Sequence, residues 1–262
     1  MKMNFKKTCI ALALAGGFVS VANAAPTVIS SGGTSATIAD SGVFSASTGL
    51  GLSNGGLEFI NLGTWASNYT LRDSTGIIAT ADEVLGDSSN PFSAAPFGAT
   101  ANAVSSIGSV SGWGFVTTET ITSPGHIVFA VTITNNTGID SVDAVWGFGV
   151  DPDQGVPGGF GFGTTNVING VGISSSVTAT SANGYTLELK DVTAAGAQLV
   201  QPYVDPAFCC APVDPLLMYS AGQLPGNYGF ADHSINLAFT LGKNGVLHDG
   251  ESTVLGLSLI HI

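Results

Sequence analysis

The chain has 262 residues, 44% of them hydrophobic and only 9% charged, with 36 glycines. Its 18 acidic and 6 basic residues give a net charge of −12, which lacks the basic footprint of a nucleic-acid binder and disfavours anionic membrane surfaces. Polarity of this charge-poor kind also occurs in disordered chains, but the hydrophobic fraction and the periodic apolar runs favour a packed core.

The first element is a processing signal. Lys2, Lys6 and Lys7 precede the apolar run CIALALAGGFVSVA (Cys9–Ala22), which is short for a bilayer span, and Ala22-Asn23-Ala24 offers a small-x-small cleavage site. Residues 1–24 are therefore predicted to be a signal peptide, with export of a chain starting at Ala25. Cleavage removes Cys9 and leaves Arg72, Lys190 and Lys243 against all 18 acidic residues, a net charge of −15. That charge suits solubility outside the cell and makes divalent cations natural partners.

From Ala25 onward the pattern is strand and turn. ATADEVLG (Ala79–Gly86) is the one stretch compatible with a turn of helix. Asp87 to Ala101 is rich in Pro, Ala and Gly and reads as a long surface loop. HIVFAVTIT (His126–Thr134) places Ile127, Phe129, Val131 and Ile133 on one face, the period-two signature of a strand with one buried side. NNTG (Asn135–Gly138) then links it to VDAVWGFGV (Val142–Val150), where Val142, Ala144, Trp146, Phe148 and Val150 alternate in the same way. Asn169-Gly170 and Asn183-Gly184 mark two further hairpins, because Asn-Gly accepts the positive φ of a tight turn.

Gln201 to Tyr228 forms the second irregular region and carries the adjacent Cys209 and Cys210. Their Cα atoms lie about 3.8 Å apart across a trans peptide, below the usual disulfide span. A strained vicinal disulfide, two free thiols and an intermolecular bridge all remain open, and a turn without chemistry is the simplest reading. SINLAFTL (Ser234–Leu241) alternates cleanly, with Ile235, Leu237, Phe239 and Leu241 inward. These features predict one all-β domain over residues 25–256, an antiparallel β-sandwich of jelly-roll or Greek-key type with its open edges covered by the two Pro/Gly-rich loops.

Motifs for chemistry are sparse. The sequence has no G-x-S-x-G, H-E-x-x-H or P-loop pattern, and His126, His233, His248 and His261 do not pair at metal-ligand spacing. Asp232-His233 is an acid–base neighbour pair, but adjacent strand-entry residues usually face apart. Glu58, Glu119 and Glu188 read as solvated carboxylates scattered along strands. The best local candidate is Asp151-Pro-Asp153-Gln-Gly155, a D-x-D-x-G turn able to present two carboxylates to a hard cation, with calcium the metal to expect. An EF-hand loop would place Glu at the twelfth position, where this chain has Phe162. The competing reading is an Asp-Pro turn leaving the Trp146 strand. No catalytic residue is identified. Two functions follow: a non-catalytic structural or interaction protein outside the cell, or a glycan-binding module or hydrolase using Trp65 or Trp113 to stack on sugar rings.

The segments VTITNNTG, VDPDQG, GTTNVINGVG and ADHSINLAFTLG, with Ile38–Thr64 upstream, resemble exported bacterial β-proteins of the PEP-CTERM type. That resemblance implies a non-catalytic envelope or biofilm-matrix protein, secreted or at the surface of a Gram-negative-type bacterium. Its partners would be extracellular polysaccharide or matrix proteins. It also implies a sorting tail of Pro-Glu-Pro, an apolar helix and a basic end, processed by an exosortase, so that membrane contact runs only through the signal peptide and that tail. The final LSLIHI (Leu257–Ile262) departs from the family pattern and is also one reading frame of a transposon-derived sequencing adaptor. ESTVLGLSLIHI would carry apolar residues on both strand faces, so residues 257–262 are expected to be the non-native end of a truncated frame.

Overall fold

The computed structural model describes residues 26–45, 51–60, 67–82, 95–194, 199–206 and 213–261. The predicted signal peptide, Trp65, Cys209 and Cys210 lie outside these residues. In chain order, β1 (Thr27–Ser31), β2 (Thr34–Ile38), β3 (Leu52–Asn54) and β4 (Leu57–Glu58) form a small antiparallel sheet. Next come β5 (Ser67–Asp73), β6 (Gly76–Asp82), β7 (Ala95–Ala99), β8 (Ala103–Val110), β9 (Trp113–Ser123) and β10 (His126–Asn135). They are followed by β11 (Ser141–Val142), β12 (Val145–Val150), β13 (Thr164–Asn169), β14 (Ser176–Ser181), β15 (Thr186–Asp191) and β16 (Val200–Val204). The last are α1 (Pro215–Ala221), β17 (Gly226–Ala231), β18 (Ile235–Thr240), β19 (Val246–Leu247) and β20 (Ser252–His261).

Two antiparallel sheets make the sandwich. One has nine strands in the order β17-β13-β14-β15-β20-β10-β9-β8-β7, and the other five in the order β16-β18-β12-β5-β6. The chain repeatedly crosses between them, which is Greek-key-like: β20 returns from β18 to insert between β15 and β10. The alternation that predicted strands also fills the core. Ile127, Phe129, Val131 and Ile133 of β10 are all buried, as are Ile235, Leu237 and Phe239 of β18. Phe129 meets Phe148 across the sheets at 5.3 Å between ring centroids, and Tyr69 stacks on Phe115 at 6.3 Å. Phe44, just after β2, packs edge-on against Phe129, so the small sheet extends the cover over the same inner face. Burial of each such ring is worth about 2–3 kcal/mol.

Several expectations need correction. β10 and the Trp146 strand belong to different sheets, so NNTG opens a crossover rather than a hairpin. Val142–Val150 is broken at Asp143, whose φ of 53° turns the chain, and Val142 points outward. Asn169-Gly170 does begin a hairpin, but a wide one, since Asn169 pairs with Ser176. Asn183-Gly184 closes a tighter turn in which Gly184 alone takes positive φ, at 89°. The two Pro-rich regions do not merely cover the edges. They supply edge strands: β7 carries Pro96 beside a register shift, and β16 carries Pro202. Proline is tolerated there because one side of an edge strand needs no donor. Ala79–Asp82 of ATADEVLG belong to β6, residues 83–86 lie outside the described residues, and among the described residues an α-helix forms at Pro215–Ala221.

On the solvent side, hydroxyl pairs bridge neighbouring strands: Ser105 with Thr118 at 2.9 Å, Thr180 with Thr186 at 2.8 Å, and Thr134 with Ser252 at 2.7 Å. They do for this charge-poor chain what cross-strand ion pairs do elsewhere. Among the described residues no helix is long and apolar enough to cross a membrane.

Candidate metal centre

The loop leaving β12 carries Asp151 and Asp153 into the rim of the sandwich rather than onto its surface. Both are buried, at 3% and 0% exposure. The backbone N–H of Asp153 donates to the Phe59 carbonyl at 2.7 Å, which ties the loop to the small N-terminal sheet. The loop then closes on itself: the N–H groups of Val156 and Phe160 donate to the carbonyls of Asp153 and Gly155, at 3.0 Å each.

Asp232 joins them from the end of β17. One carboxylate oxygen from each of Asp151, Asp153 and Asp232 lies within 4.8 Å of the others, with Asp232 on the exposed side. Register explains the convergence. β13 begins where the Asp151 loop ends and pairs with β17 through Thr164 and Ala231, which places Asp232 beside that loop. Sequence reasoning found Asp151 and Asp153 and missed Asp232, which it weighed only as a partner of His233.

Crowding three carboxylates penalises their charge. The Asp151 carboxyl is pushed up to about 9, first by burial and then by the charges of Asp153 and Asp232. Asp232 is also raised, mainly by burial, with neighbouring His233 opposing the shift. A proton can relieve this repulsion, and so can a divalent cation. Gln154, next along the loop, is wholly buried, and its Oε1 has no hydrogen-bond partner among the described residues, while its Nε2 donates to the Ala179 carbonyl at 2.7 Å. Oxygen donors of this kind suit calcium better than zinc.

Two glutamates expected in solvent are inside. Glu58 is buried, and its Oε1 accepts from the N–H groups of Leu52 and Phe59 at 2.9 and 3.3 Å. Glu119 is fully buried on β9 beneath Gly42, and burial pushes its carboxyl up to about 8. Beside it, Asp40, Ser41, Tyr69, Ser106 and Thr117 help to line a cavity of about 10 Å³, roughly one water molecule. Glu188 stays on the solvent side. Trp113 is 2% exposed and belongs to the core, so it offers no platform for a sugar ring. His233 and His126 remain apart from the aspartate cluster in the metal-ligand geometry seen among the described residues. Comparison with protein-family models gives no match, and comparison with curated proteins gives none either.

Proposed function

We propose that the protein is exported and acts outside the cell as a non-catalytic structural or interaction protein of the envelope or matrix, with calcium held on the rim carboxylates. The convergence of Asp151, Asp153 and Asp232 carries this reading: three acids share one rim, two of them out of water, and a hard cation neutralises them without chemistry. Extracellular calcium modules work at about 10⁻⁴–10⁻³ M, so affinity need not be high. The basic–apolar–A-x-A leader supports export, and the hydroxyl-paired solvent faces support life as a soluble, weakly charged surface.

The resemblance to PEP-CTERM-type proteins supports the same compartment and a surface or matrix destination. Expression of the full chain in a Gram-negative host tests the export half. The expected product is a chain beginning at Ala25 outside the cytoplasm, and a retained Met1 terminus in the cytosol would overturn it. Calorimetric titration of the mature protein with calcium tests the other half, with heat expected at millimolar concentration and lost in the D151N/D153N double variant.

A further inference from the structure

The three sheets meet at one polar hole in an otherwise apolar interior. The register of β8 and β9 sets Ser106 directly opposite Thr117, and Glu119 follows two residues along on the same inner face, opposite Val104. Tyr69 of β5 reaches the same place from the five-stranded sheet, and the turn Asp40–Gly42 after β2 closes over it. The Tyr69 hydroxyl donates to the Ser41 carbonyl at 3.1 Å, and the Gly42 N–H donates to the Ala39 carbonyl at 2.9 Å. Two oxygens converge beneath Gly42, whose φ is 81°: a Cβ there would sit 2.6 Å from the Thr117 Oγ1 and 3.1 Å from the Glu119 Oε1. Among these groups lies the cavity of about 10 Å³. The Ser106 hydroxyl lines it, on a side chain only 3% exposed, and has no hydrogen-bond partner among the described residues. A buried hydroxyl that faces a cavity without a partner points to an occupant.

We infer that this cavity binds a sodium ion, coordinated by oxygens of Ser106, Thr117, Asp40 and Glu119 and stapling the turn after β2 to the nine-stranded sheet. The hole gathers oxygen and no positive charge. Of the three basic residues in the mature chain, Arg72 pairs with Asp214, Lys190 lies on β15, three strands away from β9, and Lys243 sits in the turn before β19. The titratable groups that face Glu119 are Asp40 from the turn and Tyr69 from β5, whose own proton is held more tightly through burial and the Glu119 charge, while β8 and β10 place Ser106, Val104 and Phe129 there. A buried carboxylate so placed keeps either a proton or a cation. Calcium asks for about six to eight oxygens, whereas Ile107, Gly108 and Phe115 form the rest of this wall. A hole of about one water molecule suits sodium and is tight for potassium. The net charge of −15 on the mature chain concentrates cations around it. The site is separate from the rim aspartates and does not depend on calcium there.

Melting temperatures of the mature protein in sodium, potassium or choline chloride at equal ionic strength test this, with the sodium NMR line width as a direct readout. Above about pH 8, where the Glu119 carboxyl gives up its proton, sodium should raise the melting temperature over both other salts. The gain expected at a tenfold excess over Kd is about 3–6 °C. It should shrink toward about pH 6, because the proton then takes the ion's place on Glu119. E119Q should abolish the gain. S106A should weaken sodium affinity at least tenfold yet keep the fall of stability with pH, which a merely structural hydroxyl would not require. D151N/D153N should leave the sodium gain intact. Equal melting in all three salts above pH 8, with no broadening of the sodium line, overturns the inference and leaves a water molecule in the hole. A gain that survives in E119Q, or is lost in D151N/D153N, also overturns it by placing the ion elsewhere. Neither failure touches the calcium reading, which calcium heat tests by itself.

Discussion

Glu119 sits between Val104 and Phe129 in the sheet, on the inner face of β9, where burial raises its carboxyl more than the Thr117 hydroxyl and its own backbone N–H lower it. Its folded-state pKa of about 8 lies above the ordinary 4.5, so the native state keeps a proton that the unfolded chain has released. The stability this group contributes is therefore full below about pH 4.5 and is lost as pH rises to about 8. Asp151 acts in the same direction over a window that ends near 9. Stability measured by urea denaturation should fall between pH 5 and pH 8, and E119Q should flatten part of that fall, on the order of a few kcal/mol. A wild-type profile that rises across this window would contradict a protonated Glu119. Calcium reverses the sign at the aspartates because it competes with the proton. Its stabilising effect should grow from pH 5 to pH 8 and vanish in D151N/D153N, as read by melting temperature at fixed calcium.

The seven-residue α1 shows what a short element needs. Asp214 caps it by accepting from the Leu216 N–H at 2.9 Å, Pro215 fills the first turn, and Gly222 ends it in the left-handed region at φ 53°. Asp214 also pairs with Arg72 of β5, and Met218 packs over Gly147 and Ala238, which clamps the helix on the outer face of the five-stranded sheet. D214A removes both the cap and the partner of a half-buried Arg72, and should cost about 1–2 kcal/mol in chemical denaturation. R72A should cost less, since the cap survives. Such a helix is too brief to show a 3.6-residue period, which is why the sequence read as loop there. The strands were legible where one face alone is buried, as in β10 and β18, since alternation then records the core directly. β7 and β16 were hidden by their prolines, whose exclusion applies to central strands and not to edges. At the rim, the D-x-D spacing exposed Asp151 and Asp153, but Asp232 enters through the pairing of β13 with β17, and no local pattern encodes a partner that distant. Glu58 and Glu119 looked solvated because a glutamate on a strand carries no mark of which face it occupies.

β20 holds the two halves of the nine-stranded sheet together, and its whole pairing with β15 runs through residues 257–261, the stretch that also reads as an adaptor-derived end. It pairs with β10 from Thr134↔Ser252 to His126↔Ile260 and with β15 from Asp191↔Leu257 to Leu187↔His261, and among the described residues no other pairing joins β7–β10 to β13, β14, β15 and β17 within that sheet. Leu255, Leu257 and Leu259 are buried on its inner face, while Val254 on the other is exposed. Every other strand of the sheet precedes β20 in sequence, so the ribosome delivers the keystone after its neighbours. Its contacts with β10 close a loop of more than 100 residues, and closure over such a span is slow. A chain emerging in order therefore waits as two unjoined half-sheets, each with an open edge exposed to wrong pairing. A variant ending at Glu251 should remain collapsed but unfolded, visible as collapsed amide dispersion in NMR. Adding the missing β20 segment as a separate peptide should restore the dispersed spectrum, and a truncated chain that folds unaided would show that the half-sheets need no keystone.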